Sequence, residues 1–156
     1  MTTADRLVLY DLYGAYGGLI DAVDWPGWLD LFAATCRYQV VPRENYDQGL
    51  PAALIFCDSR AMLEDRIMAL REANKYNIHW DRHVIGLPRV IGDEAGEISV
   101  EAAFAVYQSD QEGGSRLFAT GLYRDRIVRE AGGFKFRDKT IVLDTFAVPS
   151  LLATPL

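Results

Sequence analysis

Four runs between residues 82 and 145 decide the fold: RHVIGLPRVI (Arg82–Ile91), EISVEAAFAVYQS (Glu97–Ser109), SRLFATGLYRDRIV (Ser115–Val128) and FKFRDKTIVLDT (Phe134–Thr145). Each is rich in β-branched or aromatic residues, which suits a pleated, half-buried surface. Turn signals separate them: Gly92-Asp93-Glu94-Ala95-Gly96, Gly113-Gly114 and Gly132-Gly133. Glycine supplies the positive φ that tight hairpins need. The pattern predicts an antiparallel meander of four long strands. Alternation supports it. His83, Ile85, Leu87 and Ile91 share one parity in the first run, and Ile98, Val100, Ala102, Phe104 and Val106 share one in the second. One face of such a sheet must be covered, and the cover has to come from the first half of the chain.

That first half supplies helices. Residues 5–23 place Leu9, Leu12, Tyr13, Tyr16, Leu19, Ile20 and Val23 at i, i+3, i+4, i+7 spacing, one apolar stripe. Gly14, Gly17 and Gly18 weaken this helix and point to a close approach by another element. Asp24-Trp25-Pro26 starts a second, shorter helix with Asp24 as N-cap and Pro in the first turn. Cys36–Val41 alternates as a short strand, Pro42–Pro51 reads as a polar loop, and Leu54–Cys57 reads as a second short strand. Asp58 or Ser59 caps a third helix over about 60–75, with Leu63, Ile67 and Leu70 inward and Arg60, Glu64, Arg71, Glu72 and Lys75 toward water. The order predicts an α+β fold in one domain, residues 1–156, with three helices on the concave side of a strongly curved antiparallel sheet. This order resembles the cone-shaped nuclear-transport-factor-2-like (SnoaL-like) fold, in which a pocket lies between helices and sheet.

Composition narrows the function classes. The chain has 156 residues, half of them hydrophobic, and a formal net charge of -6. That length can enclose a real core. Phosphate binding needs a basic stripe, so nucleic acid is a poor partner. No apolar run approaches the roughly 20 residues of a membrane span. The segment Met1–Arg6 lacks the apolar centre of a secretory signal. Cys36 and Cys57 are isolated thiols, consistent with buried small side chains in a reducing cytoplasm.

Few residues invite chemistry. His83 opens the first long strand on the inward parity, where a histidine works as a general base near neutral pH. Asp30 on the second helix could orient it, and Tyr16 and Tyr38 could donate to an oxyanion or enolate. The other reading makes His83 a core-edge residue tied to a carboxylate or carbonyl. His79 and His83, four apart with Asp81 between them, raise a two-histidine, one-carboxylate iron site. The spacing falls on a helix-to-strand junction, and Asp81 is read as facing away from both rings, so no metal is assigned. Asp65–Arg66, Asp81–Arg82 and the loop residues Arg43, Glu44 and Asn45 are either solvated or fixed at a subunit contact. The sequence holds no P-loop, dinucleotide-binding glycine fingerprint, serine nucleophile elbow or zinc cluster.

Five blocks carry a resemblance: Pro42-Arg43-Glu44-Asn45 with Gly49-Leu50-Pro51, Met62-Leu63-Glu64-Asp65-Arg66, Ala69-Leu70-Arg71-Glu72-Ala73, Arg82-His83-Val84-Ile85-Gly86-Leu87-Pro88 and the final Leu152–Leu156. Together they resemble the small (β) subunit of Rieske-type aromatic-ring-hydroxylating dioxygenases, in particular those of terephthalate 1,2-dioxygenase and salicylate 5-hydroxylase. The likeness covers nearly the whole chain and is strongest over 42–88. It implies the cone fold and a structural subunit assembling with a large (α) subunit, three of each. Phe104, Tyr107, Phe118, Tyr123, Phe134 and Phe136 are more large apolar groups than one covered face readily absorbs, so a homotrimer or other homo-oligomer is expected of the chain alone. The resemblance further implies a role in the catabolism of aromatic carboxylic acids. The Rieske iron–sulfur cluster and the mononuclear iron are expected in the α subunit, with NADH acting through a separate reductase and no cofactor in this chain. Arg43, Glu44, Asn45, Asp65, Arg66, Arg82 and His83 then have structural or interface roles, and no residue is catalytic. The alternative is a stand-alone dehydratase or isomerase of the scytalone dehydratase or ketosteroid isomerase type, using His83, Asp30, Tyr16 and Tyr38.

Overall fold

The computed structural model of the protein describes residues 1–72, 78–131 and 133–156. Helix α1 (Thr3–Asp21) begins at a reciprocal cap: Thr2 Oγ1 accepts from the Asp5 amide and Asp5 accepts from the Thr2 amide. It stops two residues before the predicted end. The Val23 amide reaches the Ile20 carbonyl and the Asp24 amide reaches the Leu19 carbonyl, both at 2.9 Å, with Val23 at φ 59. This closing motif normally takes glycine, because a β-branched residue is strained there, and so periodicity alone overshoots it. Asp24 then caps α2 (Trp25–Leu29) by accepting from the Gly27 amide.

Strand β1 (Phe32–Pro42) is longer than the predicted 36–41. A short helix α3 (Arg43–Asp47) forms where a loop was expected, and it buries nothing. Strand β2 (Ile55–Cys57) precedes α4 (Arg60–Glu72), which Ser59 caps by accepting from the Met62 amide. The predicted last turn of α4, to residue 75, lies outside the described residues. The predicted strand 82–91 divides into β3 (His79–Ile85) and β4 (Arg89–Glu94) around Gly86-Leu87-Pro88. Pro88 cannot donate to a ladder, so pairing breaks there. The break also undoes the parity of the run: Leu87 and Ile91 are exposed rather than inward. Strands β5 (Glu97–Asp110), β6 (Ser115–Glu130) and β7 (Gly133–Leu143) follow as predicted, within two residues at their ends.

The seven strands form one curved sheet in the order β2-β1-β7-β6-β5-β3, with β4 pairing the first half of β5. The β3–β5–β6–β7 part is the predicted antiparallel meander. Strand β1, however, lies parallel to β7 and brings β2 with it. Helices α1, α2 and α4 cover the inner face, as the three expected helices do, and their buried side chains join one core with those of the sheet. Gly121 belongs where two strands come too close for any side chain, since a Cβ there would sit 2.0 Å from the Val142 carbonyl oxygen.

The least expected feature of the core is charged. Asp125 on β6 and Lys139 on β7 are both fully buried, with Nζ 2.9 Å from Oδ2. Tyr13 donates to the same carboxylate oxygen, and the Thr140 amide donates to the other. The ammonium also lies over aromatic faces: 3.2 Å from the Tyr123 ring centre, 4.3 Å from Tyr16 and 4.9 Å from Phe136. Such contacts strengthen when water is excluded. The β6–β7 register shifts by one residue, with Ile127 opposite Phe136 and Arg126 opposite Asp138. This bulge at Arg137 turns Lys139 inward.

Burial drives both partners toward neutrality. It raises the Asp125 carboxyl against the pull of Lys139, and it pushes the Lys139 ammonium from 10.5 down to about 8. Replacing Lys139 by Met leaves Asp125 buried without its cation, and this should cost about 3–5 kcal/mol. Replacing both (Asp125→Leu with Lys139→Met) should cost less, as denaturant unfolding of all three chains would show. A pH dependence follows from the lowered lysine. Between its folded and unfolded values the unfolded chain binds the proton and the folded chain has shed it. Native stability relative to the double variant therefore rises from about pH 8 to about pH 10. Equal alkaline slopes in the two chains would contradict this.

Candidate functional site

The inner face of the cone brings most of the sequence-predicted residues together. Tyr16 from α1, Trp28 from α2, Tyr38 from β1 and Tyr123 from β6 form an aromatic box, with Tyr16 5.7 Å from Tyr123, 6.0 Å from Trp28 and 5.4 Å from Phe136, and Trp28 5.8 Å from Tyr38. All are buried because α1 and α2 present their bulky stripes to the sheet. Burial raises the Tyr16 and Tyr123 phenols well above their ordinary value and Tyr38 to about 12, so all three remain protonated donors.

His83 does face the covered side, and its side chain is fully buried. Its carboxylate partner is Asp21, at the end of α1, and not Asp30. His83 Nδ1 lies 2.6 Å from Asp21 Oδ1, and the His83 amide donates to both carboxylate oxygens. Asp30 is instead a solvent-facing helix end, its side chain four-fifths exposed and 3.8 Å from Arg60. The close approach that the α1 glycines imply is real at Gly17, where an added Cβ would meet His83 and Ile85 at 3.0 Å. Arg82 points outward and still reaches Asp21 at 3.5 Å.

The proposed donors Tyr16 and Tyr38 are already engaged. The Tyr16 hydroxyl donates to the Leu156 carbonyl, and the Leu156 amide donates to the Tyr38 hydroxyl. The segment Ala153–Leu156 is thus tucked under the helices. Thr154 donates to Asp81 at 3.0 Å, and Arg66 reaches the Ala153 carbonyl. Asp81 shares the face of His79 and His83, being two residues from each. It does not face away, and it lies 3.5 Å from His79. Among the described residues, no three His, Cys, Asp or Glu side chains gather as a metal-binding group.

The remaining motif residues lie at the surface. Arg43 pairs with Asp144, Asn45 donates to the Ala52 carbonyl, Glu44 accepts from Gln48, and Asp65 is exposed. Arg60 was expected to face water. It is instead largely covered and ties α4 to the α2–β1 connection through the Leu29 and Phe32 carbonyls. Asp125 and Lys139, absent from the sequence-derived site, are its electrostatic centre. Asp125 carried a readable signal, since it shares inward parity with Tyr123 and Ile127.

A family model described as the ring hydroxylating β subunit matches residues 17–150. The chain belongs to this ring-hydroxylating β-subunit family. The anthranilate 1,2-dioxygenase small subunit of Burkholderia cepacia is 36% identical over 148 residues, covering 95% of this chain and 92% of that one. The terephthalate 1,2-dioxygenase terminal oxygenase component subunit β 2 of a Comamonas species is 36% identical over 142 residues, covering 91% and 92%. A crystal structure of the β subunit of a provisionally assigned aromatic-ring-hydroxylating dioxygenase from Novosphingobium aromaticivorans superimposes with a TM-score of 0.88 at 40% identity, covering 97% and 96%. The ring-hydroxylating β subunit described here has the nuclear-transport-factor-2-like cone that its element order predicted.

The His83–Asp21 contact ties β3 to the end of α1. His83→Asn keeps a hydrogen-bonding edge toward Asp21 and should leave the melting temperature close to wild type. His83→Ala should cost roughly 1–3 kcal/mol, because Asp21 then loses its ring partner. Thermal unfolding of both variants measures this, and equal losses would show that the hydrogen bond is not what matters.

Proposed function

We propose that this chain is the structural β subunit of an aromatic-ring-hydroxylating dioxygenase that oxidises aromatic carboxylic acids, acting as one domain in the cytoplasm. It assembles with an α subunit, three of each. The α subunit carries the Rieske cluster and the mononuclear iron, electrons arrive from NADH through a reductase, and this chain holds no cofactor. The observation that carries the reading is inside the cone. Both phenols that would serve a stand-alone catalyst are bonded to the backbone of Leu156, and the histidine is clasped to Asp21. A subunit whose Tyr16, Tyr38 and His83 are already engaged by its own chain works through its surface. Two relatives are named for anthranilate and terephthalate, both aromatic carboxylates, and this supports the substrate class.

The surface supplies contact area. Of the six meander aromatics that suggested a bare apolar face, Phe104, Phe118, Tyr123, Phe134 and Phe136 are buried, and only Tyr107 is exposed. Other residues make the patch. Trp80 and Val84 on β3, Tyr107 on β5 and Leu117 on β6 are all about half exposed on the outer side, with Tyr107 opposite both Arg82 and Leu117. Exposed apolar groups clustered this way mark interaction sites.

The second reading, a free-standing dehydratase or isomerase, draws on the buried His83–Asp21 pair, with Asp21 in the role first given to Asp30. Reconstitution separates the two. Mixed with its α subunit, reductase, NADH and oxygen, this chain should support hydroxylation of an aromatic acid, and alone it should turn over nothing. His83→Asn should leave reconstituted turnover within a few-fold, whereas a positioned base would cost roughly 10²–10⁴-fold. An α subunit equally stable and active without this chain would refute the scaffold role. The patch makes a separate prediction. The isolated chain should sediment as a homo-oligomer, and Tyr107→Asp should shift it toward monomer. A wild-type monomer at micromolar concentration would remove the patch from the argument.

A further inference from the structure

A cleft of about 480 Å³ opens on the outer face of the sheet, over β1, β5, β6 and β7, with Tyr46 of α3 and Ile91 of β4 beside it. Strand alternation puts it on the side away from the cone interior. Arg37 and Gln39 line it, while Tyr38 between them is fully buried on the other side. Four guanidinium groups reach it from three strands: Arg37 on β1, Arg124 and Arg126 on β6, and Arg137 on β7. Register sets their arrangement. Asp138 lies between Arg37 and Arg126, and Thr140 lies between Gln39 and Arg124. The bulge in β7 leaves both Arg137 and Asp138 on this side.

The nearby carboxylates do not use these donors up. The Arg37 side chain makes no ion pair or hydrogen bond among the described residues. Arg126 lies 3.7 Å from Glu97 and 3.8 Å from Asp138, beyond hydrogen-bond reach of either. Glu97 also serves Arg137, and Glu101 is divided between Arg124 and Arg89. Asp125, at the floor, is matched by Lys139. Five arginines therefore meet three carboxylates, Glu97, Glu101 and Asp138, on a chain whose net charge is -6. Thr140 Oγ1 accepts from Gln39 and keeps its own proton to donate.

We propose that this cleft binds a compact phosphate-type dianion, with Arg37 and Arg126 as its principal ligands. Guanidinium forks match oxyanions, and charge-assisted bonds to them are the strong ones. The forks come from three strands rather than one plane, so tetrahedral oxygens meet more of them than a flat carboxylate does. Two charges are needed because Asp138 stands between Arg37 and Arg126 and opposes a single one. The acidic remainder of the chain repels a longer polyanion, which leaves a small molecule as the occupant. The site lies apart from the β3-edge patch, so it and the assembly proposed above can fail separately.

The probes are inorganic phosphate and malonate, dianions of different shape at mildly alkaline pH, titrated into the full chain at constant ionic strength. Backbone amide chemical shifts report both affinity and place. Phosphate should give saturable shifts centred on Arg37, Arg126 and Thr140, with malonate weaker by about tenfold. Arg37→Gln gives up no ion pair and so keeps the fold, and it should weaken phosphate by about tenfold or more. Arg71→Gln, on the exposed side of α4, should leave phosphate binding unchanged. Shifts in wild type that never saturate, or that centre elsewhere, overturn the proposal. Equal affinity for malonate overturns it too and points to carboxylates of a neighbouring chain as the occupant. Equal losses in Arg37→Gln and Arg71→Gln would reduce the effect to general screening and overturn it as well.

Discussion

The buried contact between Lys139 and Asp125 is the constraint on which the rest of the cone depends. Taking two charges out of water is costly, and a buried pair by itself says little about net stability. It says much about arrangement. The pair is satisfied only if three elements meet in one way: β6 supplies the carboxylate, β7 supplies the ammonium after the bulge at Arg137, and α1 supplies Tyr13 to the same oxygen. A slip of β7 by one residue would turn Lys139 outward and leave Asp125 alone in an aromatic core. The aromatic faces around the ammonium replace part of its lost hydration.

Placement of α1 then settles the interior. With Tyr13 fixed on Asp125, the same helix puts Tyr16 over the box and Gly17 against β3, and it ends with Asp21 beside His83. Each successive contact uses the next turn of one helix face. The histidine ends up with one nitrogen on a carboxylate and the other in a dry wall, where it clasps strand to helix. The same cone with an open mouth would present an activated imidazole to a substrate. Here Leu156 lies across the phenols that such a substrate would need. A common fold can serve catalysis or scaffolding because the difference lies in what fills the cone.

How far the sequence could be read depends on whether a feature is local. The meander was legible because hairpins are close in sequence and β5 alternates without interruption. The break at Gly86-Leu87-Pro88 was missed because both halves look like strand, and only Pro88's missing donor marks the boundary. The parallel β1–β7 pairing joins strands far apart in sequence, Val40 opposite Ile141, and nothing within either run encodes it. In the site, Tyr16, Tyr38 and His83 were found from periodicity. Asp21, the partner His83 has in place of Asp30, carries a local signal: Tyr13, Gly17 and Asp21 fall four apart on one stripe, which puts an acid on an inner face. Lys139 could not be found by parity at all. Phe134 and Phe136 set an alternation that places it outside, and the bulge reverses that alternation one residue before it matters. The blocks of the family resemblance, by contrast, depend on order and spacing and survive any error in strand assignment.

The outer face divides in a way that fits two kinds of neighbour. Toward the β3 edge it is apolar, with Trp80, Val84, Tyr107 and Leu117. Across β4, β5, β6 and β7 it carries a ladder of ions: Glu97 meets Arg126 and Arg137, and Glu101 meets Arg89 and Arg124. Singly, such exposed pairs are worth about 0–1 kcal/mol and cannot explain the rigidity of the sheet. As a pattern they have a different use. Each glutamate is shared by two arginines from different strands, so the ladder presents fixed, alternating charge with arginine in excess. Charge laid out this way adds little affinity but rejects misaligned partners, while an adjoining apolar patch supplies the area that holds the aligned one. The apolar edge at β3 and the ion ladder across β4, β5, β6 and β7 therefore lie side by side on one face, area next to register.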